Sequence, residues 1–179
     1  MYDDINRLKK IKELYEKIDL LALEVLKTCK VDAPVKDIEY IVSCFGGSIK
    51  EANSFKYISK TGYDSFDIYV RNNRYPLYNK FYIAARLGDV LLHTNYLLNK
   101  EEYLKSNVFE FKEDDEIISQ EDQSNEFAYG LLMPKDLYKE VFDKYIDGDI
   151  VLTDNIAKYF DVTVSMASER GKRLGLIKE

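Results

Sequence analysis

The chain of 179 residues has no tryptophan, one histidine, two cysteines and three prolines. Each scarcity narrows the chemistry. A single histidine, His93, leaves no convincing Ser-His-Asp or Cys-His grouping for nucleophilic catalysis. Two cysteines, Cys29 and Cys44, suit a reducing compartment and are expected to be reduced core thiols rather than a disulfide or metal pair. No run approaches 18 uncharged apolar residues, so no transmembrane helix is expected. The first segment, MYDDINRLKKIKELYEKI, lacks the apolar stretch of a secretory signal, and a cytoplasmic location is expected. No glycine-rich phosphate loop occurs; FGGS has neither the lysine nor the spacing. Basic excess is missing too: a net charge of −6 argues against nucleic acid as the main target.

What is present is a core-forming composition, 46% hydrophobic and 32% charged. Its aromatic content is carried by 15 Tyr and 9 Phe. Tyrosine brings apolar area together with a hydroxyl that needs a partner. The length fits one domain, or one domain with a small appendage.

Apolar residues at three-and-four spacing (Ile5, Leu8, Ile11, Leu14/Tyr15, Ile18, Leu21/Ala22, Val25, Leu26) predict an amphipathic helix over about 5–30, broken at most once. A second helix starts within Asp32–Pro34, buries Ile38, Ile41, Val42 and Phe45, and stops at Gly46-Gly47. SIKEANSFKYI and GYDSFDIYVRNN alternate and read as strands of a small antiparallel sheet, with turns at Thr61-Gly62 and Asn72-Asn73. YNKFYIAARLGDVLLHTNYLL resumes helical spacing. Residues 110–126 hold eight acids against one lysine, read as a solvated loop entering a helix N-terminus, where carboxylates are favoured. SNEFAYGLLMP continues as a helix closed before Pro134. A further helix covers about 135–145, and Asp147-Gly148-Asp149 break the chain. The tail reads as two short helices joined near Asp161, with Thr163 capping the second and Ile156, Ala157, Phe160, Val162, Ala167 and Leu174 packing inward.

The order F-x-x-A-x-x-L-G-x-x-L-L-H (Phe81–His93), then EDQSNEFAYGLLMP (Glu121–Pro134), then a tail ending ERGKRLGLI resembles the ImmA/IrrE family of zinc metallopeptidase-like proteins along nearly the whole chain. The resemblance implies an α+β fold: helices around a small, mainly antiparallel sheet, a zincin-like core over 1–147 and a helix-turn-helix-like tail over 148–179. In that family the first helix carries H-E-x-x-H, whose histidines at i and i+4 grip one zinc ion while the glutamate serves as general base. A carboxylate from the second helix completes the site.

At those positions this chain has Ala85, Arg86 and Asp89; only Glu121, the third-ligand position, matches the family. Alanine has no donor atom, and arginine accepts no proton at usable pH. No catalytic residue and no metal are therefore expected. With zinc gone, Asp89 and Glu121 would be close carboxylates in need of a counter-charge. Arg86 is expected to supply it, pairing with Asp89, Glu121 or both. Glu121 and Asn125, at i and i+4, should line the same cleft, where Ser124 replaces the family's usual alanine. A displaced zinc site of Asp89, His93 and Glu121, one turn along, is the alternative.

Family members typically act on Cro/CI-type helix-turn-helix repressors of phages and mobile elements. The resemblance thus implies a pseudopeptidase that binds such a repressor, or a related regulatory protein, and controls it by sequestration. Arg86, Asp89, Glu121 and Asn125 would form the binding cleft. Direct DNA binding and membrane association are not expected. The alternatives are a DNA-associated regulator using the tail, where Arg170, Lys172, Arg173 and Lys178 make a local basic excess, and a residual metallopeptidase. Gly171 in the last helix weakens the DNA alternative, because a mid-helix glycine costs about 1 kcal/mol.

Overall fold

The computed structural model describes residues 2–52, 57–72, 75–105, 118–148 and 150–178. Its elements run α1 (Tyr2–Cys29), α2 (Ile38–Cys44), β1 (Gly47–Glu51), β2 (Ile58–Gly62), β3 (Ser65–Val70), α3 (Pro76–His93), α4 (Lys100–Lys105), α5 (Gln120–Leu132), α6 (Lys135–Lys144), β4 (Ile146–Asp147), β5 (Ile150–Val151), α7 (Thr153–Phe160) and α8 (Val164–Arg173). The architecture is α+β, as expected. Asn73 and residues 110–117 of the acidic stretch lie outside the described residues, as does the side chain of Ile5.

α1 is unbroken for 28 residues. Its stripe buries Ile18, Ala22, Val25 and Leu26, but Leu8 is 66% exposed. Only the later turns of α1 lie on the core, through contact with α5. α2 begins later than the Asp32–Pro34 signals suggest. Asp37 is its N-cap, accepting from the Tyr40 amide at 2.9 Å and satisfying a donor that the first turn leaves orphaned. The expectation of two core thiols holds for Cys29, which is buried; Cys44, at the end of α2, is exposed.

The first sheet has the order β1-β3-β2. β3 alternates strictly, burying Phe66, Ile68 and Val70. β2 pairs with it antiparallel across a turn at Tyr63-Asp64, two residues later than Thr61-Gly62. β1 pairs with β3 in parallel, Gly47 opposite Phe66. The hairpin thus sets β3 in the middle, which alternation alone does not reveal: it fixes which side chains face inward, not strand order. β4 and β5 form a separate antiparallel ribbon around the Asp147–Gly148 break.

α3 opens on Pro76 at its first turn, where a missing N–H costs nothing. It is buried on most sides, with Ile83, Ala84, Ala85, Leu87, Gly88, Val90 and Leu91 all inside. Its main partner is α5. Gly88 makes that approach possible, since a Cβ there would sit 3.0 Å from Phe127 Cδ1 and 3.2 Å from the Ser124 carbonyl. The Phe81 and Tyr129 rings, 4.8 Å apart, close the far end.

The tail folds as expected. Asp161 takes the left-handed turn (φ 53°), and Thr163 caps α8 by accepting from the Met166 amide. Ile156, Ala157, Phe160, Val162 and Ala167 join the same apolar cluster as α1, α3 and α5. Tyr138 of α6 stacks on Phe160 at 5.8 Å and donates its hydroxyl to the Ala167 carbonyl at 2.6 Å.

Candidate functional site

Ala85, Arg86 and Asp89 occupy successive turns of α3 against the start of α5. Ala85 is buried in the core. Arg86 Nη1 lies 2.8 Å from Asp89 Oδ2, both side chains largely enclosed. The guanidinium sits 5.3 Å from the centre of the Tyr82 ring, a cation–π contact. The other carboxylate oxygen, Asp89 Oδ1, accepts from the Ser124 hydroxyl across the helix interface.

Glu121 stands apart. It is exposed in the first turn of α5 and makes no ion pair with Arg86 among the described residues. Its charge still reaches Asp89, helping to raise that carboxyl, while His93 lowers it. Of the three counter-charge arrangements, with Asp89, with Glu121 or with both, Arg86 thus adopts the one with Asp89. Asn125 is half-buried one turn beyond Glu121. The α5 side chain that bonds Asp89 is their neighbour Ser124, fully buried. A hydroxyl where the family motif has alanine, facing an acid where it has histidine, is the signal that could have found this pair.

Burial pushes the Asp89 carboxyl above the usual range, against the opposing pull of Arg86 and the Ser124 hydrogen bond. The set is a desolvated, internally paired cluster. Zinc does not fit it. Ala85 offers no lone pair, Arg86 brings a cation to the place of a base, and both Asp89 oxygens are already engaged. Among the described residues no three His, Cys, Asp or Glu side chains are grouped to hold a metal ion, so Asp89, His93 and Glu121 do not converge as the displaced site requires.

A second charged cluster escaped sequence reasoning. Arg170 is fully buried and bonds Glu126 Oε1 at 2.7 Å, Asp19 Oδ1 at 2.7 Å and the Met133 carbonyl at 3.1 Å. Arg173 takes the other Glu126 oxygen at 3.0 Å, pairs with Glu169 and lies over the Tyr15 and Tyr129 rings. These arginines are therefore internal ties and not part of a basic surface. Gly171 between them is no defect: a Cβ there would come within 2.5 Å of Ile177 and 2.8 Å of the Tyr138 hydroxyl.

The family model of the IrrE N-terminal-like domain matches residues 50–172. The chain belongs to the IrrE N-terminal-like domain family. Within this IrrE-like domain the matched span takes in β2, β3 and the end of β1, the α3–α5 cleft and nearly all of the helical tail. A search of curated proteins found no match. Among solved structures, a Mycobacterium tuberculosis transcriptional regulator is similar in fold, with a TM-score of 0.54 at 13% identity over 92% of this chain. The IrrE-like chain spans about half (51%) of that regulator's chain.

Proposed function

We propose that this IrrE-like protein does not hydrolyse peptides and acts by holding a regulatory protein of transcription, a Cro/CI-type helix-turn-helix repressor of a phage or mobile element. The observation that carries the reading is the Arg86–Asp89–Ser124 set. It stands where the family resemblance puts a zinc ligand and the general base, and it neutralises the cleft without a metal. The surrounding helix pair keeps its packing, so a binding surface persists while the means of activating water is gone. The name of the similar regulator, and the family's habit of acting on repressors, favour transcription as the setting.

Recognition without turnover demands stoichiometric amounts, because each copy disables one partner. The DNA-binding alternative has less support. Two of its four basic residues, Arg170 and Arg173, are consumed inside the fold, leaving Lys172 and Lys178 exposed. So few free cations provide little counterion release.

The test is a tagged pull-down from the native host, with intact masses of all co-eluting proteins and zinc measured on the purified complex. A full-length repressor in near-equal amount, with zinc far below one per chain, supports sequestration. A partner trimmed at one site, with trimming lost in Glu121→Ala, overturns it in favour of a working peptidase. Recovery of DNA with salt-sensitive affinity and no protein partner overturns it in favour of the alternative.

A further inference from the structure

The two cysteines close separate helices on the same side of the molecule. Cys29 is the last residue of α1 and Cys44 the last of α2. The buried Cys29 Sγ lies 3.9 Å from the Ile41 carbonyl oxygen, and Cys44 follows Ile41 by three residues, about 4.5 Å along the helix axis. That places the Cys44 side chain close enough to act on the Cys29 thiol, which it helps to raise. The Tyr40 hydroxyl, half-exposed, also meets Cys44. One sulfur is open to solvent, the other is enclosed beside it. An accessible thiol next to a resolving thiol is the arrangement that oxidation chemistry uses.

We propose that Cys44 and Cys29 form a reversible oxidation site that hydrogen peroxide converts to an intramolecular Cys29–Cys44 disulfide. In the first step the Cys44 thiolate attacks one peroxide oxygen; an S–O bond forms, the O–O bond breaks, and hydroxide leaves to take up a proton. In the second, the Cys29 sulfur attacks the Cys44 sulfenic acid; the S–S bond forms, the S–O bond breaks, and water leaves with the Cys29 proton. Two thiols and one peroxide give one disulfide and two waters, a two-electron oxidation. The order follows from exposure, and burial together with the neighbouring thiol pushes the Cys29 thiol up to about 12, so it is the slower nucleophile. Thiols in reducing compartments form such bonds transiently. The bond would staple the end of α1, which packs on α5, to α2, which packs on β1 and α3.

Purified full-length protein treated with a small excess of hydrogen peroxide should lose about 2 Da and both alkylatable thiols. A Cys29–Cys44 cross-linked peptide should appear, and dithiothreitol should reverse the change. Closing a loop of about 15 residues should raise the Tm by roughly 5–10 °C. Cys29→Ser should stop at a Cys44 sulfenic acid, about 16 Da heavier and trapped by dimedone. Cys44→Ser, altered only at an exposed position, should consume peroxide at least about ten-fold more slowly. If Cys29→Ser does not fold, wild type and Cys44→Ser decide the matter. Over-oxidation of Cys44 with Cys29 still alkylatable, or a Cys44-linked dimer of two molecules, overturns the proposal.

Discussion

Arg86 and Asp89 illustrate how one substitution makes its neighbour's charge tolerable. A carboxylate as enclosed as Asp89 is costly unless paired, and Arg86 at 2.8 Å provides the pair on the same helix. Arg86→Ala should therefore destabilise the protein by about 2–4 kcal/mol, measured by urea unfolding at neutral pH, because it strands the acid. The pH response has a definite sign. The Asp89 carboxyl is raised in the fold, chiefly by burial, so the folded state binds its proton more tightly than the unfolded chain does. Its contribution to stability is full below the ordinary carboxylate range and is lost as pH rises through the raised folded value. Wild type compared with Asp89→Asn should gain relative stability as pH is lowered from 7 into that range, then level off. A difference that is flat with pH, or that shrinks on acidification, would refute the assignment.

Among the elements, α8 is held by directional bonds as much as by apolar area. Arg170 uses its planar fork to bond α1, α5 and the carbonyl that ends α5. A lysine ammonium is a point charge and cannot span the three acceptors from one position. Arg170→Lys should cost about 2–4 kcal/mol despite keeping the charge, seen as a drop in the thermal midpoint with an unchanged far-UV CD spectrum. At the other end of the tail, Lys80 of α3 donates to both the carbonyl and the carboxylate of Asp161 at 3.0 Å, fixing the left-handed turn between α7 and α8.

Taken whole, the described residues share an apolar cluster running from α1 to α8. Removing residues 148–179 would uncover the face that receives Ile156, Phe160, Val162 and Ala167, and would leave Glu126 and Asp19 without their cation. The shortened chain should lose its cooperative thermal transition and its tyrosine near-UV CD signal. A cooperative melt for residues 1–147 would instead show the tail to be an independent unit. The helical tail is therefore part of the domain's own packing.

Much of this was legible in the sequence. Apolar spacing determined α1, α3 and α5, alternation determined β3, and a local cap determined the start of α8, because each depends on residues within one or two turns; α4 was not legible in the same way. The departures Ala85, Arg86 and Asp89 were legible too, since a metal ligand needs a lone pair and these positions are read one at a time. Only the tertiary structure decided what those residues touch. Ser124 became the partner of Asp89, and Glu121 stayed outside, because contact between two helices depends on their mutual rotation and approach, set here by Gly88 against Phe127. Arg170 looked like surface charge until Asp19, 151 positions earlier, was placed beside it. Pairings over such separations have no local periodicity to betray them; packing chooses them.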